Sequence, residues 1–140
     1  MATYDLSDLD KWVRKSEARM EAVFREAVQS LTFEVLTPVA KGGRMRVRTG
    51  FLINSFTAAI NSIPSGPTQA PQGFNNQALD AAPLVLVINR ATIGDRIAIG
   101  SAAGYARRRE LEDGFIRLAA QNWPQHVSKA VDKVKREVTR

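Results

Sequence analysis

Few side chains in this chain could make or break bonds. The 140 residues include one histidine, His126, and no cysteine. His126 falls in the first turn of an expected C-terminal helix with no acid beside it in sequence, which suits a packing or surface residue better than a general base. Without cysteine there is no thiol nucleophile and no disulfide framework. A metal would have to draw on His126 and scattered carboxylates, and no ligand spacing supports that. Glu110, Glu112 and Asp113 cluster, but Arg107, Arg108 and Arg109 immediately precede them. An ion-paired face is expected there rather than a tuned acid–base pair. Gly42-Gly43 lacks the rest of a phosphate-binding loop, and there is no serine nucleophile elbow. The expectation is a protein that is not an enzyme and holds no cofactor or metal.

The sequence does concentrate positive charge. The net charge is +6, but residues 1–40 carry −2 and residues 41–140 carry +8. In Lys41-Gly42-Gly43-Arg44-Met45-Arg46-Val47-Arg48, four of eight residues are basic. Nearby nucleic acid, an acidic protein partner and plain solubility all fit such a balance. Zinc-finger spacing, an aromatic-rich RNA motif and a helix-turn-helix pattern are absent. No secretory apolar region opens the chain, and no apolar run approaches the roughly 18 residues of a membrane span. Folding in the cytoplasm, without membrane contact, is expected.

The elements that position these residues fit one domain with a modest core. Residues 7–36 read as a long amphipathic helix, with Ser7 and Asp10 as a capping box and an apolar stripe from Leu9, Trp12 and Val13 through Met20 and Phe24 to Val35. Pro38 ends it. At about 43 Å the helix exceeds what a small sheet covers, so either the C-terminal helix or another subunit must bury part of the stripe. Residues 41–48 form a flexible basic arm. Residues 49–56 form a short helix in which Thr49 caps and Leu52, Ser55 and Phe56 share a face, with Leu52 and Phe56 in the core.

Strands are expected at 57–63, 84–89 and 96–100, within a region spanning 57–101, and a fourth has no assigned place. A proline-rich loop, 64–83, separates the first two. Loops this long are usually functional or disordered, and Phe74 could anchor it on a partner. The arm and this loop are expected to be mobile in the free subunit. Residues 105–112 read as a short helix in which Arg108 can pair with Glu112 and Arg109 with Asp113. Tyr105 is expected to pack beneath the sheet with its hydroxyl bonded at the rim. Residues 123–138 form the last helix, with Asn122 or Trp123 as cap, Pro124 at its start, and Lys129, Lys133, Lys135, Arg136 and Arg140 making one side basic. The fold class is α+β: two long helices packed on a small, mainly antiparallel sheet of three to four strands.

The order of these pieces resembles a known family. A long helix and a basic loop lead to Thr49-Gly50-x-Leu52-x-x-Ser55. Strands and a proline-rich loop follow, then Tyr105-Ala106 with Glu110, Gly114-Phe115-Ile116-Arg117 and a terminal helix. This is similar to the small neck proteins of long-tailed bacteriophages, variously called head–tail joining, tail-completion or minor tail protein Z-like proteins. The similarity runs from about residue 8 to 138. In the family pattern a glycine follows the glutamate by two residues, whereas here Glu112 stands there and glycine comes at Gly114, which leaves the turn after the short helix open.

The resemblance implies a structural virion protein that assembles in the host cytoplasm. It implies a ring of copies, six-fold by expectation, between the head connector, stopper or adaptor and the tail tube protein. Double-stranded DNA would pass through its lumen. A tail-terminator ring is the alternative position, and a basic nucleic-acid-binding regulator is the alternative of another class. Lys41, Arg44, Arg46, Arg48, Phe74, Arg107, Arg108 and Arg109 are the candidate interface or lumen residues.

Overall fold

The computed structural model describes residues 5–75 and 77–138. Asn76 of the long loop and Arg140 of the basic helix lie outside the described residues. The longest element is helix α1, Ser7–Val35, 29 residues without an internal glycine or proline. Its start differs from the capping-box expectation. Leu6 holds the cap position and its carbonyl accepts from the Asp10 amide at 3.0 Å. Ser7 instead donates its own amide to the Asp5 carboxylate at 2.9 Å. Asp8 and Asp10 therefore act only through their charge at the positive end of the helix dipole. At the far end Pro38 is extended, and a 3₁₀ turn follows at Val39–Lys41.

Helix α6, Trp123–Val138, packs against α1. The two run antiparallel, because Glu26 meets Lys133 while Glu34 meets His126. Ala27, Val28, Thr32 and Val35 of α1 and Ala130 and Val134 of α6 are buried.

Between the helices lie α2 (Phe51–Asn54), β1 (Phe56–Ile60), α3 (Ala82–Ile88), β2 (Ile97–Ser101), α4 (Ala106–Asp113) and α5 (Arg117–Ala120). The two strands pair antiparallel, from Phe56 opposite Ser101 to Ile60 opposite Ile97. β1 stops before Asn61, whose φ of 58° is one that asparagine tolerates. The Asn61 side chain accepts from the Arg96 amide and donates to Asp95, closing the ladder. Leu36, Met45, Phe51, Leu52, Ile53, Phe56, Leu84 and Phe115 form the core, with Phe56 and Phe115 edge to face at 6.0 Å.

The sheet has two strands among the described residues, not three or four. The segment 84–89, read as the strongest strand, is helix α3. Leu84 and Ile88 are both buried, four residues apart on one helical face, and Leu86 between them is exposed. Pro83 suits the first helical turn, and the Asp80 carboxylate accepts from the Ala82 amide at 3.1 Å. A short apolar run fits a buried strand or a buried helical turn equally well by periodicity, and these flanks decide it. Helix α3 lies on β1, covering a hairpin that would be marginal alone.

Candidate interaction surfaces

The Thr49-Gly50 motif owes its residues to the loop that crosses it. Gly50 has φ of 85°, and a Cβ there would lie 2.0 Å from the Gln77 carbonyl oxygen. The Gln77 amide donates to the Thr49 carbonyl at 3.0 Å. The Thr49 hydroxyl accepts from the Phe51 amide at 3.3 Å, although Gly50 occupies the cap position of α2. Asn54 extends the same dock: its amide group donates to the carbonyls of Gly50 and Ala78, and its oxygen accepts from the Asp80 amide. Phe74 stands edge-on to Phe51 at 5.7 Å, and Leu79 also packs on the core. Phe74 is thus an anchor, but on its own chain. The long loop, expected to be a free limb, is tied down at several points.

Ser55 is fully buried and serves the fold. Its hydroxyl donates to the Leu52 carbonyl at 2.6 Å. With that proton committed, Ser101 supplies the one between the two hydroxyls, which lie 2.5 Å apart. The Ser101 oxygen in turn accepts from the Ala103 amide. Leu52 and Phe56 are core residues, as expected.

The basic arm also differs from a free limb. Met45 is fully buried, and the Val39 amide donates to its carbonyl at 3.0 Å. Gly43 lets the arm turn tightly, since a Cβ there would lie 1.8 Å from the Thr37 carbonyl oxygen. Arg44 reaches Glu34 at 3.1 Å. Arg46 reaches Glu112 at 2.8 Å and Asp113 at 2.6 Å, joining the arm to α4. Arg108 and Arg109 both pair with Glu112. Arg109 therefore meets Glu112 rather than Asp113, which Arg46 takes. The Arg108 and Arg46 guanidinium groups hold the Glu112 carboxyl below its ordinary range.

Two basic stretches some 60 residues apart thus share one face. Arg46, Arg48, Tyr105 and Arg109 line one small cleft there. Tyr105 sits at its mouth, 42% exposed and 6.3 Å from the Phe51 ring, rather than beneath the sheet. Among the described residues no carboxylate pairs with Lys41, Arg48 or Arg107. Glu110 closes the turn whose glycine is displaced: both its oxygens accept amides, from Ile116 and Arg117 at 2.8 Å, around Gly114 at φ 66°.

His126 has partners that the sequence reading missed. Nδ1 lies 2.6 Å from the Ser30 hydroxyl and Nε2 lies 3.1 Å from Glu34. Glu34 also accepts from Arg44 and from the Asn122 side chain. Burial works against ionisation of Glu34, but the bonds from Asn122, Arg44 and His126 outweigh it and hold its pKa below the ordinary value. Serine, imidazole and carboxylate stand in the order of a hydrolytic triad. Yet His126 is buried, and neither it nor Ser30 lines the larger grooves. The trio pins α6 to α1. Ser30 and Glu34 lie four apart on α1, opposite Asn122, just before α6, and His126, four residues on in its first turn. That spacing was a usable signal once the helices were set side by side.

The remaining surface is apolar. The first half of α1 projects past the end of α6, leaving Leu9 at 52%, Trp12 at 66% and Met20 at 56% exposure. Where α6 lies on α1, a groove of about 630 Å³ remains open, lined by Met20, Phe24, Trp123, Val127, Val131 and Val138 among others. A second groove, about 770 Å³, lies on the other side of Phe24 and Trp123, against Ile97, Ile99 and Ile116. The C-terminal helix thus covers part of the stripe and leaves the rest bare. Among the described residues no helix is long and apolar enough to cross a membrane, and no group of three or more acidic or histidine side chains is placed to hold a metal. No family model matches the chain, and neither a curated protein nor a solved structure is detectably similar to it.

Proposed function

We propose that this chain is a structural subunit of the neck of a long-tailed bacteriophage. It forms a ring, six-fold by expectation, that joins the head connector to the tail tube and lets double-stranded DNA pass. The observation that carries the reading is the bare first half of α1. A helix that leaves Leu9, Trp12 and Met20 each more than half exposed has apolar surface that a second copy would cover. The motif order supports the same reading, with Thr49-Gly50 seating the long loop and Glu110 closing the turn at Gly114. The function is mechanical, without catalysis or a cofactor, and the subunit belongs to the virion after assembly in the host cytoplasm. A terminator ring capping the tail tube differs only in which neighbour it meets.

Mixing the purified chain with connector or tube protein, followed by native mass spectrometry and negative-stain imaging, tests this. Rings, or stable complexes with either neighbour, are expected. A chain that binds neither and never assembles refutes it. A nucleic-acid-binding regulator is the second reading, favoured by the unpaired Lys41, Arg48 and Arg107. Sequence-selective binding that survives physiological salt in a gel-shift titration would establish it instead.

A further inference from the structure

We infer that the small cleft between the basic arm and α4 is a seat for one phosphate oxyanion of the DNA backbone. The inference deepens the neck reading, and rests on it for the presence of DNA, by naming where the subunit touches its ligand. Two segments far apart in sequence line the cleft with donors. Arg46, Arg48 and Thr49 come from the arm and the turn after it, and Tyr105 and Arg109 from the start of α4. No carboxylate lines it. Glu112 and Asp113 hold Arg46 at 2.8 and 2.6 Å, but neither forms part of the wall.

These donors have capacity left. Among the described residues nothing accepts from the Arg48 guanidinium or from the Tyr105 hydroxyl. Arg46 commits Nε and Nη2 to carboxylates and keeps Nη1. Arg109 meets Glu112 only at 3.7 Å, beyond hydrogen-bond length. The Thr49 hydroxyl accepts from the Phe51 amide at 3.3 Å, and its own proton has no acceptor. The groups are also held in place: two carboxylates fix Arg46, and the Tyr105 ring leans on Phe51 at 6.3 Å. Phe51, Leu52 and Ile53 are buried and form an apolar floor. Charge of one sign over such a floor attracts a counter-ion more strongly than the same charge in open water. Five donor groups with no acceptor-only group among them suit an oxyanion. Their approach from two segments suits a tetrahedral phosphate better than a planar carboxylate, which presents only two oxygens. The space, about 30 Å³, admits one small group and no base. The seat therefore reads backbone alone, and duplexes of unlike sequence should bind alike.

The test titrates the full, isotope-labelled chain with inorganic phosphate and with a short DNA duplex at low salt, followed by NMR. Both should shift the amides of Arg48, Thr49 and Tyr105, and phosphate should compete with the duplex. Arg48→Gln should weaken duplex binding about tenfold or more and reduce the log–log salt slope by about 1. Tyr105→Phe, which removes only the hydroxyl, should weaken binding about threefold and leave the slope unchanged. Arg14→Gln, at an exposed position on α1, should alter neither affinity nor slope. Equal losses in Arg14→Gln and Arg48→Gln, duplex binding that survives both cleft variants, or shifts centred on another surface would overturn the inference. A polyglutamate peptide that binds the cleft more tightly than the duplex would overturn it in favour of an acidic protein partner. Phosphate binding without duplex binding would overturn it in favour of the free ion. Rings that form while DNA leaves the cleft untouched would sink this contact and leave the ring reading standing. A chain that binds duplex here yet never assembles would keep the seat and sink the ring.

Discussion

Replacing Gly50 with alanine should be far more costly than replacing Gly42, although both have nearly the same backbone angle. Their φ values are 85° and 86°, so alanine at either meets the left-handed penalty of about 1–2 kcal/mol. A Cβ at Gly42 meets nothing within 4 Å, whereas one at Gly50 comes within 2.0 Å of the Gln77 carbonyl oxygen. The loop must then lift. Lifting it breaks the Gln77–Thr49 bond and the two bonds from Asn54 to Ala78 and Asp80, each contributing about 1 kcal/mol net. Gly50→Ala should therefore cost about 4–5 kcal/mol, against about 1–2 for Gly42→Ala. At about 2.1 cal/mol/K per residue of unfolding entropy, the larger loss lowers Tm by about 10 °C or more.

Gly43→Ala completes the set. Its φ is not positive, but its Cβ would lie 1.8 Å from the Thr37 carbonyl oxygen, so it reports a clash without the dihedral penalty. Urea denaturation at constant m-value measures all three. Limited proteolysis between residues 64 and 80 should accelerate in Gly50→Ala alone. Equal midpoints for Gly50→Ala and Gly42→Ala would refute the docking of the long loop on the Thr49-Gly50 turn.

Three further outcomes are expected. Glu34 has its pKa lowered below an ordinary value of 4.5, so its contribution to stability is present above the unfolded pKa and lost as pH falls through the folded one. Glu34→Gln should flatten the acid limb of stability against pH, and superimposable limbs for variant and wild type would contradict this. Ser55→Ala should cost about 1–3 kcal/mol by stranding buried partners, and a double-mutant cycle with Ser101→Ala should show coupling of about 0.5 kcal/mol or more, where simple additivity would deny the hydroxyl pair. With Lys41, Arg48 and Arg107 as the contacts, duplex binding by one copy should fall with a log–log salt slope of about −3, and a slope of about −6 would mean that Arg44, Arg46, Arg108 and Arg109 also leave their carboxylates for phosphate.

The parts legible in the sequence are those whose burial follows one helical face. Both long helices and β2 fall close to their expected bounds, whereas β1, expected at 57–63, runs Phe56–Ile60 and takes Phe56 from the short helix. Leu84–Asn89 was not legible, because a run of five apolar residues fits either state until the flanking Asp80 and Pro83 are weighed. Arg44 and Arg46 looked like a free cationic limb because Glu34, Glu112 and Asp113 are distant in sequence; Met45, buried between them, was the available hint. Likewise Thr49-Gly50 reads as a cap from local sequence alone. Its glycine answers to Gln77, 27 positions away, and local propensity carries no trace of a chain crossing.

These corrections change how the chain would meet its neighbours. The arm and the long loop, expected to reach outward, are held by their own chain, and most of the candidate arginines are neutralised within it. Among the described residues, what faces outward for a partner includes a projecting helix, two apolar grooves, and Lys41, Arg48 and Arg107, which no carboxylate pairs, around the arm and the start of α4. Apolar surface drives association without regard to salt, whereas exposed cations bind phosphate weakly and reversibly. A subunit that holds its copies by the first and touches DNA only by the second would keep a ring closed while the genome slides. A chain built to hold DNA would need the opposite allocation, with its arginines released from their carboxylates and its long helix covered.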